Sequence, residues 1–174
     1  YQNAGEYARA LKMHEQAMAV AEEVGERAKV AAQYSNIGIC HKELGNYKRA
    51  LKMHEQHKAM AEELGVRAQV AIACSNLGIC HGSLGDHRLA LLMHEEARAI
   101  EMELGDRSGL AYSAGNLGAC YQGMGDFPVA IALFDEFKAM AEEMGDRRGV
   151  ASAYGNLGGC HFSQGDYDKA IACL

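Results

Sequence analysis

The chain has 174 residues, of which 49% are hydrophobic and 23% are charged, and its formal net charge is −6. A nucleic-acid partner requires a basic surface, and a membrane-spanning helix requires about 18 consecutive apolar residues. The sequence shows neither feature, so we expect no nucleic-acid partner and no membrane insertion.

A period of 40 residues runs through the chain. One phase of this period is occupied by glycine alone, at Gly5, Gly45, Gly85, Gly125 and Gly165. Such self-similarity is typical of stacked repeats that bury their apolar faces against one another. It predicts a single repeat domain over residues 1–174 with about four repeats of 40 residues. Because a stack presents a long surface instead of one pocket, the period favours binding over catalysis, and we expect no enzymatic activity.

Each repeat has the pattern of two helices. In chain order we predict B helices at 6–24, 47–64, 87–104, 127–144 and from 167 onward, alternating with A helices at 27–43, 67–83, 107–123 and 147–163. In the second A helix, Val70, Cys74 and Leu77 follow the spacing of one helical face, and Gly85 ends the run because glycine tolerates positive φ. Side-chain oxygens suited to N-caps precede the B helices, at Asn46, Asp86, Asp126 and Asp166.

Four of the six cysteines also recur at the repeat period, at Cys40, Cys80, Cys120 and Cys160. Equivalent positions of stacked helices lie about 8 to 10 Å apart, which is too far for a disulfide. We expect these cysteines to be buried thiols in a reducing compartment, and therefore a cytoplasmic protein.

The order of marker residues in one repeat resembles the tetratricopeptide repeat signature: Asn76-Leu77-Gly78, His81, Gly85-Asp86-His87, Ala90 and His94. The 40-residue length and turns such as Gly105-Asp106-Arg107 are most similar to the repeats of the LGN/Pins family of adaptors, and more distantly to those of kinesin light chains. The resemblance implies an all-α fold, a right-handed α-solenoid of antiparallel helix pairs. It also implies that the A helices line a concave groove that holds extended peptides.

One asparagine per repeat is the main candidate for ligand contact. These residues, which precede an aliphatic–glycine pair, are Asn36, Asn76, Asn116 and Asn156. The resemblance implies that this position faces the groove, where an amide can both donate to and accept from a peptide backbone. In the alternative interpretation each asparagine satisfies a backbone group of a neighbouring helix.

Further groove positions are expected on either side of the asparagines, at Ser35, Ser75, Ile39 and Ile79. Small residues take their places in the later repeats and predict room for a bulky ligand side chain, at Gly115, Gly155, Ala119 and Gly159.

An arginine begins every A helix, and a glutamate lies four residues before it; the pairs are Glu23 and Arg27, Glu63 and Arg67, Glu103 and Arg107, and Glu143 and Arg147. We expect each arginine to pair with that glutamate across the turn. In the alternative interpretation, which the resemblance to LGN/Pins repeats suggests, the arginines attract an acidic ligand at the mouth of the groove, with Arg107, Arg147 and Arg148 as the candidates.

Histidines occupy columns where the resemblance implies aromatic residues: His41, His81 and His161 in one column, and His14, His54 and His94 in the other. Tyr121 and Phe134 share these columns, which indicates packed rings. A metal site formed by Cys40 with His41, or by His54 with His57, and a pH sensor are the alternatives. The spacing of neither pair fits convergent ligands, so we predict no metal and no cofactor.

Both chain ends align with positions inside a helix, because Tyr1 falls in the column of His41 and Leu174 in that of Phe134. We therefore expect truncation within a repeat at both ends, and a chain that belongs to a longer array or a larger complex. The predicted function is a scaffold or adaptor that binds an extended or helical peptide segment of a partner protein in the groove. The alternative is a structural or regulatory subunit that docks through its ridge and ends and leaves the groove empty.

Overall fold

The fold is described from a computed structural model, which describes residues 2–173 and the side chains from Ala4 onward. Tyr1 and Leu174, on which the expectation of truncated repeats depends, lie outside the described residues. Over the described range the chain forms nine α-helices: α1 Gln2–Glu23, α2 Arg27–Glu43, α3 Tyr47–Glu63, α4 Arg67–Ser83, α5 His87–Leu104, α6 Arg107–Gly123, α7 Phe127–Met144, α8 Arg147–Gln164 and α9 Tyr167–Ala172.

The helix boundaries agree with the predicted ones to within one residue except at the start of α1. That helix begins at Gln2 and runs through Gly5, although Gly5 shares the phase of the glycines that end helices elsewhere. Gly5 lies inside α1, with helix on both sides, and is not among the glycines with positive φ. The even-numbered helices are the predicted A helices, and the odd-numbered ones are the B helices.

Glycine ends the helices by taking the left-handed conformation that other residues avoid. Gly45, with φ of 74°, donates its N–H to the carbonyl of Lys42 at 2.9 Å, and Asn46 donates to the carbonyl of His41 at 2.8 Å. This pair of bonds satisfies carbonyls that the end of α2 would leave free. The chain then turns at once into the next helix.

The N-cap predictions hold for Asp126 and Asp166. The carboxylate of Asp126 accepts from the N–H of Val129 at 3.4 Å, and that of Asp166 accepts from the N–H of Lys169 at 3.5 Å. The prediction for Asn46 was wrong, since its side chain makes no capping hydrogen bond. A neutral amide is attracted less strongly than a carboxylate to the positive end of the helix dipole.

The contacts divide the chain into two compact units, one ending at Asp86 and the other beginning at His87. In unit 1, consecutive helices from α1 to α4 pack together, and α2 also touches α4. In unit 2, consecutive helices from α5 to α9 pack together, and α6 also touches α8. This confirms the all-α class and the predicted helix pairs. No helix within the described range has the length and apolar character needed to span a membrane.

In both units a ring from a B helix packs against a glycine of the preceding A helix. A Cβ atom at Gly38 would lie 2.5 Å from Cε1 of His54, and one at Gly118 would lie 2.8 Å from Cε1 of Phe134. His54 and Phe134 are both fully buried. The prediction that this column holds a packed ring, either imidazole or phenyl, is therefore confirmed at these two positions.

Candidate functional site

The asparagine column lies on a partly solvent-exposed face of the A helices. All four side chains are half-buried, on α2 and α4 of unit 1 and on α6 and α8 of unit 2: Asn36, Asn76, Asn116 and Asn156. Within residues 2–173, no group forms a hydrogen bond with these four side-chain amides. Each amide keeps both its donor and its acceptor available.

Apolar side chains flank the asparagines on the same helical face. Ile39 and Ile79 follow Asn36 and Asn76 by three residues and are half-buried. Sequence reasoning missed the position four residues before the asparagines, where Ile72 is exposed and Tyr112 is 53% exposed. Residues at these spacings are neighbours on a helix surface. The signal was a large apolar residue one turn before the asparagine, in a column that otherwise holds Ala32 and Ser152. We call this surface of the A helices, taken separately in unit 1 and in unit 2, the A-helix face.

The serine column lies deeper than we expected. Ser35 is only 9% exposed, and Ser75 is half-buried. The equivalent Gly115 shows what this column faces, because a Cβ atom there would meet Cδ1 of Phe137 on α7 at 3.1 Å. The column is thus directed toward the B helix of its own repeat, and Ser35 is not part of the A-helix face.

An open cavity lies at the α8 end of unit 2. A Cβ atom at Gly155 would meet nothing within 4 Å, so no side chain fills the space beside it. The cavity has a volume of about 490 Å³ and is lined almost entirely by glycine and apolar side chains. Its walls on α8 include Tyr154, Gly159 and Phe162, and α9 contributes Tyr167 and Ile171. Because Gly155 occupies the column of Ser35 and Gly115, this cavity lies on the side of α8 that faces α9 and is not part of the A-helix face.

Two of the arginines that begin the A helices, Arg27 and Arg107, pair differently from the prediction. Arg27 forms an ion pair with Glu63 and Arg107 forms one with Glu143, so the predicted partners four residues earlier were wrong for both. In both pairs the arginine begins an A helix and the glutamate lies in the last turn of the B helix that follows. Packing of these two helices against each other brings the two side chains together. Both pairs are well exposed, and exposed pairs contribute little to stability.

Arg147 and Arg148 are exposed at the start of α8. The adjacent Asp146 accepts hydrogen bonds from the N–H groups of Arg148 and Gly149 at 3.1 and 3.0 Å, and from the hydroxyl of Tyr112 at 3.2 Å. The bond from Gly149 is the main reason that the pKa of Asp146 is lowered. Asp146 therefore fixes the start of α8 and links it to the A-helix face at Tyr112.

The buried histidines and cysteines have the character of neutral packing residues. Burial lowers the pKa of His54 and His94 to about 4, and it raises the pKa of Cys120 to about 11. The described part of the chain contains no group of three or more His, Cys, Asp or Glu residues that could hold a metal ion. His54 and His57, one of the two candidate metal pairs, are both fully buried.

A buried polar pair in unit 2 also escaped sequence reasoning. Glu101 is 6% exposed, and its Oε2 accepts a hydrogen bond from Oγ of Ser113 at 2.6 Å. Burial is the main cause that raises the pKa of this carboxyl. The signal lay in the repeat column, which holds Ala21, Ala61 and Ala141 in the other repeats.

The model of the tetratricopeptide repeat family matches residues 1–63, 34–103 and 104–174, which together cover the chain. No curated protein matches the sequence.

Three solved structures illustrate the likeness in fold. BtubC (BKLC) from P. vanneervenii is 21% identical, with a TM-score of 0.84 over 99% of this chain and 72% of its own. A kinesin light chain-like protein of Podosopora anserina with nearly identical TPR-like repeats is 18% identical, with a TM-score of 0.76 over 100% of this chain and 86% of its own. The Rap conjugation gene regulator of the plasmid pLS20, in complex with the Phr* peptide, is 17% identical, with a TM-score of 0.78 over 88% of this chain and 43% of its own.

Proposed function

We propose that this chain, which belongs to the tetratricopeptide repeat family, is a non-catalytic scaffold that binds an extended or helical peptide segment of a partner protein on its A-helix face. The asparagines bind the peptide backbone, and the neighbouring apolar side chains contact ligand side chains. Arg147 and Arg148, which are exposed at the start of α8, favour a segment with acidic residues, whereas Arg107 is already paired with Glu143.

The state of the four asparagine amides is the observation that carries this proposal. They recur once per repeat on one helical face, are half-buried, and have no hydrogen-bond partner among the residues that the structure describes. None of these amides is among the buried polar atoms without a partner, so solvent reaches them, and a peptide backbone can replace that solvent with a donor and an acceptor at regular spacing. In the alternative interpretation each asparagine would hydrogen-bond to a backbone group of a neighbouring helix, and the described residues form no such hydrogen bond.

The surroundings of the amides also suit a peptide. Ile72 and Tyr112 present exposed apolar surface next to the asparagines, and Ile79 adds a half-buried side chain. A bound peptide in the Rap regulator of plasmid pLS20 supports the proposal by analogy of fold. This chain spans less than half of that protein. The alternative of a structural subunit that leaves this face empty predicts that the asparagines can be removed without loss of binding.

The test is selection from a displayed library of random 15-residue peptides, followed by affinity measurement on variants. We expect selected peptides to lose about tenfold or more in affinity for N36A/N76A or N116A/N156A, since each hydrogen bond contributes about 1 kcal/mol. The matched control is Q16A/Q56A, which removes two exposed amides from B helices of unit 1 and should leave the affinity unchanged. Thermal unfolding confirms that the variants fold.

Two outcomes contradict the proposal. One is the selection of peptides that bind the asparagine variants as tightly as the wild type. The other is the recovery of no binding peptide, which favours the structural-subunit alternative.

A further inference from the structure

The outer surface of the B helices changes character between the two units. On α1 and α3 of unit 1 two columns of this surface are basic and exposed, with Arg9 and Lys12 on the first helix and Arg49 and Lys52 on the second. In unit 2 the same columns are apolar and still exposed, with Leu89 and Leu92 on α5 and Val129 and Ala132 on α7. Since charged residues occupy these positions in unit 1, the repeat fold itself does not require apolar residues there.

The apolar positions of unit 2 border a cleft between α5 and α7. The cleft has a volume of about 540 Å³; α6 contributes Leu117 and Tyr121, and α7 contributes Pro128, Val129, Ala132 and Leu133. Leu92 lies one turn before Glu95 on α5, and Leu89 lies one turn before Leu92. These two leucines are 56% and 46% exposed, and they extend the apolar surface of the cleft along α5. We call this surface the outer cleft.

Two carboxylates flank the outer cleft. Glu95 of α5 and Glu136 of α7 both line it. Nη2 of Arg98 lies 2.6 Å from Oε1 of Glu136, and this ion pair joins the two helices. Glu95 makes no ion pair with any residue in the described part of the chain, so its charge is available to a ligand.

The overall charge of unit 2 has the same sign. The residues up to Asp86 include ten basic and ten acidic side chains, whereas those from His87 include seven basic and thirteen acidic ones. The whole net charge of −6 therefore belongs to unit 2. A negative field around an apolar cleft raises the local concentration of cationic ligands and repels anionic ones.

We infer that the outer cleft is a second docking surface, and that it binds a basic amphipathic helix of a partner protein. Apolar side chains of that helix pack between α5 and α7 and against Leu89 and Leu92, while its lysines or arginines pair with Glu95 and approach Glu136. A groove between two helices with apolar walls suits the helix-in-groove mode of recognition. This surface is separate from the A-helix face, and it does not depend on the asparagines.

The experiment uses a fluorescein-labelled synthetic peptide of 18 residues made only of leucine and lysine, with the leucines spaced to form one helical face. A scrambled peptide of the same composition, which lacks that face, reports charge attraction alone. Binding is measured by fluorescence anisotropy at physiological salt, where the Debye length is about 8 Å and long-range charge attraction is screened. We expect the amphipathic peptide to bind, and the scrambled peptide to bind about tenfold more weakly. Binding of the amphipathic peptide should also shift the Cβ and methyl NMR signals of Ala132 and Leu133.

Variants then locate the site. L89Q/L92Q should weaken binding about tenfold, since it removes two exposed apolar contacts, and E95Q should weaken it about threefold, as expected for one partly exposed ion pair. The matched control R49Q/K52Q changes the same two columns in unit 1 and should leave the affinity unchanged. N116A/N156A should also bind normally, which separates this inference from the proposed function.

Three results would overturn the inference: equal binding of the amphipathic and scrambled peptides, wild-type affinity in L89Q/L92Q, or loss of binding in N116A/N156A. The last result would place the peptide on the A-helix face instead. Circular dichroism of the bound peptide tests the occupant, because an extended bound form contradicts docking of a helix.

Discussion

At the level of single residues, Glu101 departs most clearly from its repeat column. Its carboxylate is buried beside Ser113, and a Cβ atom at Gly109 would lie 2.8 Å from its Cγ, so the glycine makes room for it. The pKa of Glu101 is raised, and burial of the carboxyl is the largest cause. The hydrogen bond from Ser113 and the charge of Arg98 act in the opposite direction, while the charge of Asp106 raises the pKa further. A raised pKa in the folded protein means that ionised Glu101 opposes folding at neutral pH.

The double variant E101A/S113A should be more stable than the wild type at pH 7, by about 1 kcal/mol or more, since it removes a buried carboxylate together with its donor. The next repeat provides the template, because Ala141, Gly149 and Ala153 occupy the same three columns and pack closely. Urea unfolding at pH 7 measures the gain. The gain should shrink as the pH falls toward 4.5, where the unfolded carboxyl becomes protonated.

The single variants supply the control for this pair. S113A leaves the buried carboxylate without its hydrogen bond and should destabilise the protein, whereas E101Q keeps the shape and removes the charge. A double variant that is less stable than the wild type at pH 7 would mean that the pair contributes more to stability than burial of its charge costs.

At the level of helices, the contact between a ring and a glycine sets how closely an A helix and its B helix approach. Gly38 of α2 lies under the ring of His54 on α3, while Gly155 of α8 has no atom within 4 Å of its Cβ position. Both glycines lie inside helices. The same substitution should therefore have opposite effects at the two positions.

Gly155→Ala should stabilise the protein by about 0.5 to 1 kcal/mol, because alanine loses less backbone entropy in a helix. Gly38→Ala should destabilise it by about 1 to 3 kcal/mol, because a methyl group 2.5 Å from Cε1 of His54 forces the helices apart. Urea unfolding measures both values. Repeating Gly38→Ala in a His54→Ala background is the control, where the penalty should disappear; its persistence there would show that the ring is not its cause.

At the level of the whole molecule, the period predicted most of the fold because it reports many equivalent positions at once. A turn at Gly45 or Gly85 is supported by the glycines in the same phase, and the structure confirms positive φ at both. Contacts between the two helices of one repeat were not predictable in this way. The ion pair of Arg27 with Glu63 spans 36 residues, and only the packing of the helices brings these two side chains together.

The candidate site was predicted less completely than the fold. A column specifies which residues are equivalent, but the direction in which a side chain points depends on helix rotation within the stack. Ser35 and Asn36 are neighbours in sequence, yet Ser35 is buried while Asn36 keeps part of its surface in solvent. Exceptions within a column, such as Tyr112 and Glu101, are visible in the sequence, but only the structure shows whether an exception faces solvent or the core.

Acid stability is a property of the whole chain, because each unit contains a buried histidine with a strongly lowered pKa, His54 in unit 1 and His94 in unit 2. The unfolded chain binds a proton at each of these groups below pH 6.5, whereas the folded protein does so only near pH 4. Stability that is complete above pH 6.5 is therefore lost as the pH falls toward 4. The loss at pH 5 should reach about 2 kcal/mol for each histidine.

Reciprocal substitutions in the ring column test this assignment. His54→Phe places in unit 1 the side chain that Phe134 provides over Gly118 in unit 2, and it should reduce the loss of stability between pH 6.5 and 4. Phe134→His does the reverse and should make the loss steeper, because it adds a buried imidazole. Urea unfolding at half-unit pH steps compares the three proteins, and parallel curves would show that imidazole protonation in this column does not control acid unfolding.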